Sequence, residues 1–313
     1  MSAVFTLAGA LALLQVPVLL DSFDGRLSSR WIVRLGASSL FAGALLSHIG
    51  LALITAPTVL RALHLHRFAA ICDRLLLHLG VAVPSYLGWF ALVLFTGSSV
   101  LWVRGVIRAV GADRSLRAGL EHLSTSSWCG YPVRIVESSV ATAFGLGGRN
   151  STIVVTTELL NRLEAEERDV VLAHEAAHLR YRDPALLRAL RALELAAPRW
   201  LLLRRAIGCV RLAIERAADE SASGRAPQRR KAAVIALLKA TGIEAPLAPA
   251  ISSVETVARR IQALRRPAPR VSASSLLVAT LLVAALLGVS IGGIANWLSH
   301  GHTALALAGW CPI

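Results

Sequence analysis

The sequence predicts an α-helical membrane protein in which four transmembrane helices carry an inserted α+β domain. Three observations lead there. Four segments are apolar over lengths that suit a bilayer. A mean hydropathy of +0.60 coexists with a formal charge of +14, a pairing unusual for a soluble domain. The basic residues are also concentrated, all but six of 33 lying within residues 104–270.

The apolar segments come in order. Residues 2–20 (SAVFTLAGALALLQVPVLL) carry no charge, and without a basic leader or a small-residue cleavage site they read as a helix and not a signal peptide. Residues 35–56 hold one strongly polar side chain, His48, expected to hydrogen-bond between helices. Residues 80–103 place Tyr86, Trp89 and Trp102 where interfacial aromatics sit, and residues 272–298 complete the set. The organisation is thus 1–103 for three spans, 104–270 for the insert, and 271–313 for the fourth span and a short tail.

Arginine sets the orientation. Outside 104–270 the basic residues are Arg26, Arg30, Arg34, Arg61, Arg67 and Arg74. The positive-inside rule then puts the insert in the cytoplasm and both termini outside, in a multi-pass protein of the inner (plasma) membrane. Loop 57–79 is the awkward piece, and its RALHLHRFAAICDRLLLHLG fits an amphipathic helix on the outer surface. The same rule explains the positive charge without nucleic acid, so the expected partner of the basic face is the lipid headgroup layer. Lys231 and Lys239 are the only lysines, a bias that fits a GC-rich genome better than a mechanism.

In the insert, a helix is expected over 104–126, continuing the third span. PVRIVE (132–137) and TIVVT (152–156) read as strands, with SSVATAFGLGG between them as an extended edge followed by a glycine turn. FGLGGRN fails as a phosphate loop, because Asn150 replaces the third glycine and no GK[ST] follows. Helical patterns then run to about 264, broken at Asp183-Pro184, Pro198, Gly224, Pro227 and 241–250, and RRPAPR (265–270) is a stiff linker.

VVLAHEAAHLRYRDP (170–184) carries the chemistry. His174 and His178 are i, i+4 on one helical face, so both imidazoles can meet one metal ion. Glu175 follows the first of them and is placed to take a proton from a water that zinc polarises. The alternative is accidental spacing on an exposed helix. Against it stands the apolar flank of Val170, Val171, Leu172, Ala173, Ala176, Ala177 and Leu179, where ionisable groups are costly unless paired.

A single zinc ion needs a third protein ligand. An extension of the motif with a further histidine fails, because Tyr181 and Pro184 occupy the required positions. RLAIERAADE (211–220) offers Glu215, with Asp219 one turn on as acceptor for a ligand histidine N–H. Glu215 could instead pair with Arg211 or Arg216 on the surface. Glu194 is the alternative ligand, in a stretch that reads as solvated charges. Asp183 is expected to cap the next helix, with Pro184 at its first position.

Taken in order, TAFGLGGRNSTIVVTTELL, EAEERDVVLAHEAAHLRYRD and Glu215-x-x-x-Asp219 resemble the gluzincin membrane metallopeptidases of the BlaR/MecR type, antirepressor proteases of β-lactam signalling. The resemblance covers residues 100–300, and the first three spans by topology alone. It implies a mini-gluzincin zinc peptidase domain between the third and fourth spans, zinc on His174, His178 and Glu215, and Glu175 as general base. It further implies that Ala141, Thr142, Ala143, Phe144 and Gly145 form a rim strand on which a substrate peptide lies. The expected substrate is a cytoplasmic repressor of the BlaI type, or the chain itself at SGRAPQRR (223–230) or RRPAPR; a homo-oligomer is also open. HtpX-type quality-control proteases share the same motif order, but usually with two spans between the HExxH helix and the glutamate. A non-catalytic adaptor retaining a structural metal is a third reading, opposed by the presence of Glu175.

One departure limits the resemblance. The β-lactam sensors carry an outer domain with an S-x-x-K nucleophile, whereas Gln228 and Ala236 stand three positions before the two lysines. In this topology Cys72 and Cys311 share the outer side, where a disulfide is permitted although free thiols are the simpler expectation. His64, His66, His300 and His302 fall on that side too, as interfacial histidines or, less simply, an external metal or pH sensor.

Overall fold

A computed structural model of the chain describes residues 2–23, 25–78, 84–120, 125–148, 150–196, 200–241, 251–266 and 272–307. It opens with four helices: α1 (Ser2–Asp21), α2 (Ser29–Ala62), α3 (His66–His78) and α4 (Ser85–Leu120). A small sheet follows, of β1 (Thr125–Trp128), β2 (Tyr131–Val136), β3 (Ala143–Leu146) and β4 (Thr152–Thr156). Seven helices complete the described chain: α5 (Thr157–Arg162), α6 (Ala165–Arg180), α7 (Asp183–Ala196), α8 (Leu201–Ser223), α9 (Pro227–Thr241), α10 (Ile251–Arg265) and α11 (Ala273–Leu307).

Within α2, α4 and α11, the segments Ser29–Ala62, Ser85–Leu120 and Ala273–Gly292 are long and apolar enough to cross a membrane; Ala8–Asp21 is a shorter apolar helix. Their outer faces carry Trp89, Phe90, Val93 and Ile107 on α4 and Leu277, Val278 and Leu281 on α11, all exposed. A soluble monomer would not leave such contiguous apolar surface bare, and lipid would cover it. His48 bridges two of these helices, its Nε2 lying 3.2 Å from Ser98 Oγ of α4. The amphipathic loop is helical as α3, with Ala69 and Leu76 buried.

The sheet runs β1-β2-β4-β3, with β2 and β4 parallel and the other pairs antiparallel. Two boundaries differ from the sequence reading. The helix expected to 126 ends at Leu120, and residues 125–128 form a strand instead. Cys129 and Gly130 both have positive φ, 47° and 81°, the pattern of a two-residue turn whose twist matches a hairpin. That turn reverses the chain into β2. The last helix also extends past residue 298 to Leu307, since nothing in that stretch interrupts helical hydrogen bonding.

β4 is fully buried, because α5 and α6 cover the sheet. Ile153, Val155, Leu159, Leu163, Ala176, Leu179 and Ala236 form the core between sheet, α6 and α9. β3 comes unusually close to α6. A Cβ on Gly145 would meet Leu179 Cδ2 at 3.0 Å and the Glu175 carbonyl at 3.4 Å, so a side chain there would force Leu179 or the strand to shift.

A second, larger core joins the two halves of the molecule. Leu13, Leu20, Val33 and Leu40 of α1 and α2 pack in one cluster with Leu190 and Leu193 of α7 and Leu203, Ile207, Val210 and Ile214 of α8. Burial at this scale stabilises by roughly 1.5–3 kcal/mol per large side chain relative to exposure. The apolar helices and the helices carrying the motif therefore pack as one structure.

Candidate metal centre

α6 and α8 cross so that three potential ligands converge. On α6, Glu167, Val170 and the run from Glu175 to Leu179 are buried, and His174 and His178 lie on this inward side. On α8, Ile214, Ala217 and Ala218 are buried, and this orientation presents Glu215 and Asp219 to α6. The ligand atoms of His174, His178 and Glu215 all lie within 4.8 Å of one another. The two Nε2 atoms are 3.0 Å apart, and the Glu215 carboxylate oxygens stand 3.5 Å from His174 Nε2 and 3.8 Å from His178 Nε2.

The opposite edge of each imidazole is fixed. His174 Nδ1 lies 2.9 Å from Asp219 Oδ1, and His178 Nδ1 lies 3.0 Å from Asp183 Oδ2. An imidazole that donates Nδ1–H to a carboxylate keeps its Nε2 lone pair free, which is how metal-binding histidines are held. Arg260 of α10 reaches Asp219 at 2.7 Å and Glu215 at 2.9 Å. Glu175, Glu215, Asp219 and Asp183 gather carboxylates around the two imidazoles, and two imidazole nitrogens with one carboxylate oxygen are a donor set that fits zinc.

The charges tune one another. Burial works against a charged His174, but hydrogen bonds to Asp219 and Glu215 outweigh it and push its pKa up to about 10. Burial likewise opposes ionisation of Glu215, yet His174 and Arg260 hold its pKa down to about 2. Asp219 is held well below the usual carboxylate range, against its burial, chiefly by Arg260.

The strand expected over 141–145 is observed as β3, Ala143–Leu146, with Ala141 and Thr142 just before it. Ala141, Thr142, Ala143, Phe144 and Gly145 line a cavity of about 370 Å³, together with His174, Glu175, His178 and Glu215. Val170, Ala233, Ala236, Leu237 and Ala240 make much of its lining apolar. β3 is the edge of the sheet, and Thr142 accepts from Thr156 N–H at 3.0 Å on the β4 side. Antiparallel alternation then turns the N–H and C=O groups of Ala143 and Gly145 away from β4.

Glu194 is elsewhere, paired with Arg191 and Arg211 at 2.9 Å each. Glu215 makes its ion pair with Arg260, the pair with Arg211 having gone to Glu194. The expected capping role of Asp183 is corrected. Its carboxylate, 1% exposed, is engaged by His178 and by Arg30 of α2 instead. Asp183 follows His178 by five residues, just past the end of α6, and a helix-only reading of the motif passes over it. Arg260 and Arg30 gave no signal, being single arginines in a chain rich in them.

The other outlying candidates stay apart from this centre. His64 and His66 are exposed, their ring centroids 6.0 Å apart. Cys72 is a free thiol and Cys311 lies outside the described residues, as do the side chains of His300 and His302. SGRAPQRR spans the end of α8 and the start of α9, and most of RRPAPR lies outside the described residues.

Residues 113–224 match the sequence profile of peptidase family M48. The matched stretch holds the sheet, α6 and α8, and so every ligand candidate. The chain is also 36% identical over 86 residues to a protein described as "Protease HtpX homolog" from Halobacterium salinarum. That alignment covers 25% of this chain and 30% of the relative, so it spans less than a third of the curated protein's length. No solved structure matches. The M48 match and the HtpX relative support a membrane metalloprotease, and neither comparison singles out the BlaR/MecR type.

Proposed function

We propose that the protein is a membrane-embedded zinc endopeptidase, with His174, His178 and Glu215 as ligands and Glu175 as general base. The observation that carries this reading is the convergence of three ligand atoms within 4.8 Å beside an open strand edge. When bound, zinc supplies the Lewis acidity that makes a water acidic and polarises the scissile carbonyl.

The chain's own residues do the rest. The outward-facing groups of Ala143 and Gly145 hold an extended peptide by strand addition, which brings its carbonyl over the histidines. Glu175, 8% exposed at the cavity wall, takes the proton of the attacking water and returns it to the departing amine. Asp219 and Asp183 keep the imidazoles in register, and Arg260 fixes Glu215. The apolar part of the cavity lining favours substrates with an apolar side chain beside the cut bond.

We place the four apolar helices across the inner membrane, with the peptidase domain and its basic surface on the cytoplasmic side. Two substrate classes have support. The M48 profile and the HtpX relative favour quality-control cleavage of membrane proteins. The absence of a span-length apolar helix between α6 and Glu215, among the described residues, favours the signalling arrangement, with a BlaI-type repressor as substrate. Comparing proteomes of cells carrying the wild type and Glu175→Ala separates these. A single accumulating repressor supports signalling, many accumulating membrane proteins support quality control, and no change sinks the protease reading in favour of a structural metal.

A further inference from the structure

α2 enters the molecule at the metal centre. Arg30, in its first turn, gives Asp183 two hydrogen bonds, Nη1 to Oδ1 at 2.8 Å and Nη2 to Oδ2 at 3.3 Å. Its guanidinium also stacks on the Tyr181 ring, 3.7 Å from the centroid. Asp183 Oδ2 in turn meets His178 Nδ1. The chain of contacts runs from an apolar helix, through one carboxylate, to a ligand imidazole. Next to it, Ser29 donates to Glu220, the neighbour of Asp219 on α8.

We infer that Arg30 is a positioning residue for the zinc site, acting on His178 through Asp183; the inference rests on the zinc reading given above. Asp183 opens α7 directly after Arg182, whose φ of 58° breaks the chain path from α6, so the geometry of α6 alone does not hold its carboxylate against His178. Arg30 supplies that orientation. A planar fork grips both oxygens, and the stack on Tyr181 ties the fork to the same turn. Asp183 is almost wholly buried, so water cannot take over the role. The site is therefore completed by a residue far outside the 113–224 stretch that matches the peptidase profile. Displacing the end of α2 would loosen a ligand without any contact to the metal.

The test uses the full chain purified in detergent and measures zinc affinity by competition with a fluorescent chelator. Arg30→Met should weaken binding about 10- to 100-fold, the size typical of lost outer partners of metal ligands. The Co²⁺-substituted variant should show an altered d–d absorption band. In an Asp183→Asn background the same substitution should change affinity less than about twofold, because the route through Asp183 is already cut. An Arg30→Met protein that binds zinc like the wild type overturns the inference, and so does an effect of equal size in the Asp183→Asn background. Should Arg30→Met fail to fold, Arg30→Lys keeps the charge but loses the fork and stack; it should bind zinc several-fold more weakly, and wild-type affinity in it would overturn the inference. A wild type that binds no zinc at all removes the zinc reading itself, a result distinct from either.

Discussion

The guanidinium of Arg260 lies 2.9 Å from the Glu215 carboxylate and 2.7 Å from that of Asp219, both acids being on α8, the helix of the proposed third ligand. Arg260 belongs to α10, so the end of the domain nearest the last apolar helix holds the ligand helix in place. Arg260 and Asp219 are nearly buried, and removing one partner of such a pair strands the other's charge. Arg260→Ala should lower stability by about 3 kcal/mol, read by denaturant unfolding of the metal-free protein. Arg260→Lys should recover only part of it, since an ammonium cannot serve both carboxylates with a planar fork.

Glu175→Gln removes the base and leaves the ligands in place. Cleavage of a model peptide should fall by about 10²- to 10⁴-fold, while bound zinc per chain stays unchanged by elemental analysis. Loss of the metal together with the activity would point to a structural part for Glu175. Chelation of the wild type should abolish cleavage, with zinc restoring it.

The pH dependence has a definite sign. His174 is raised from its ordinary 6.5 to about 10, so without metal its stabilising charge is complete below pH 6.5 and is lost as pH rises towards 10. Glu215 is lowered from 4.5 to about 2, so its contribution is complete above pH 4.5 and is lost as pH falls towards 2. With respect to these two groups, the melting temperature of the metal-free protein should be highest between 4.5 and 6.5. Zinc must displace the His174 proton, so its affinity should rise about tenfold per pH unit across the neutral range. Calorimetry in buffers of different ionisation enthalpy should detect the released proton.

Gly145 tests the strand edge. A methyl group there would press on Leu179 and the Glu175 carbonyl, so Gly145→Ala should push β3 outward. A stability loss of about 1–3 kcal/mol is expected, with KM for an extended peptide rising more than kcat falls. A variant with both unchanged would show that β3 does not form part of the peptide-binding surface.

Much of the site could be read from the chain, because its chemistry depends on short helical spacings. His174 and His178 are four apart, and so are Glu215 and Asp219, which fixes their shared faces wherever the helices go. The residues that escaped are those whose roles depend on tertiary placement. Asp183 looked like a helix cap since Pro184 follows it, and only the packing of α2 against the α6–α7 turn assigns its carboxylate to His178. The helix expected over 104–126 overruns into β1 because Thr125–Trp128 has no alternation long enough to mark a strand. The Cys129-Gly130 turn was the signal there, and its two positive φ values show why the chain reverses.

The core shared by α2 and α8 fixes an elevation. Val210 packs on Gly36, a Cβ there falling 3.2 Å from its Cγ2, and Glu215 stands five residues farther along α8, ~8 Å at helical rise. With α2 across the bilayer as proposed, one stretch of helix would separate the apolar layer from the proposed site by little more than one helical turn. Such a blade would have a short, unadjustable reach, so a bond would be cut for its distance from the bilayer surface as much as for the side chains around it.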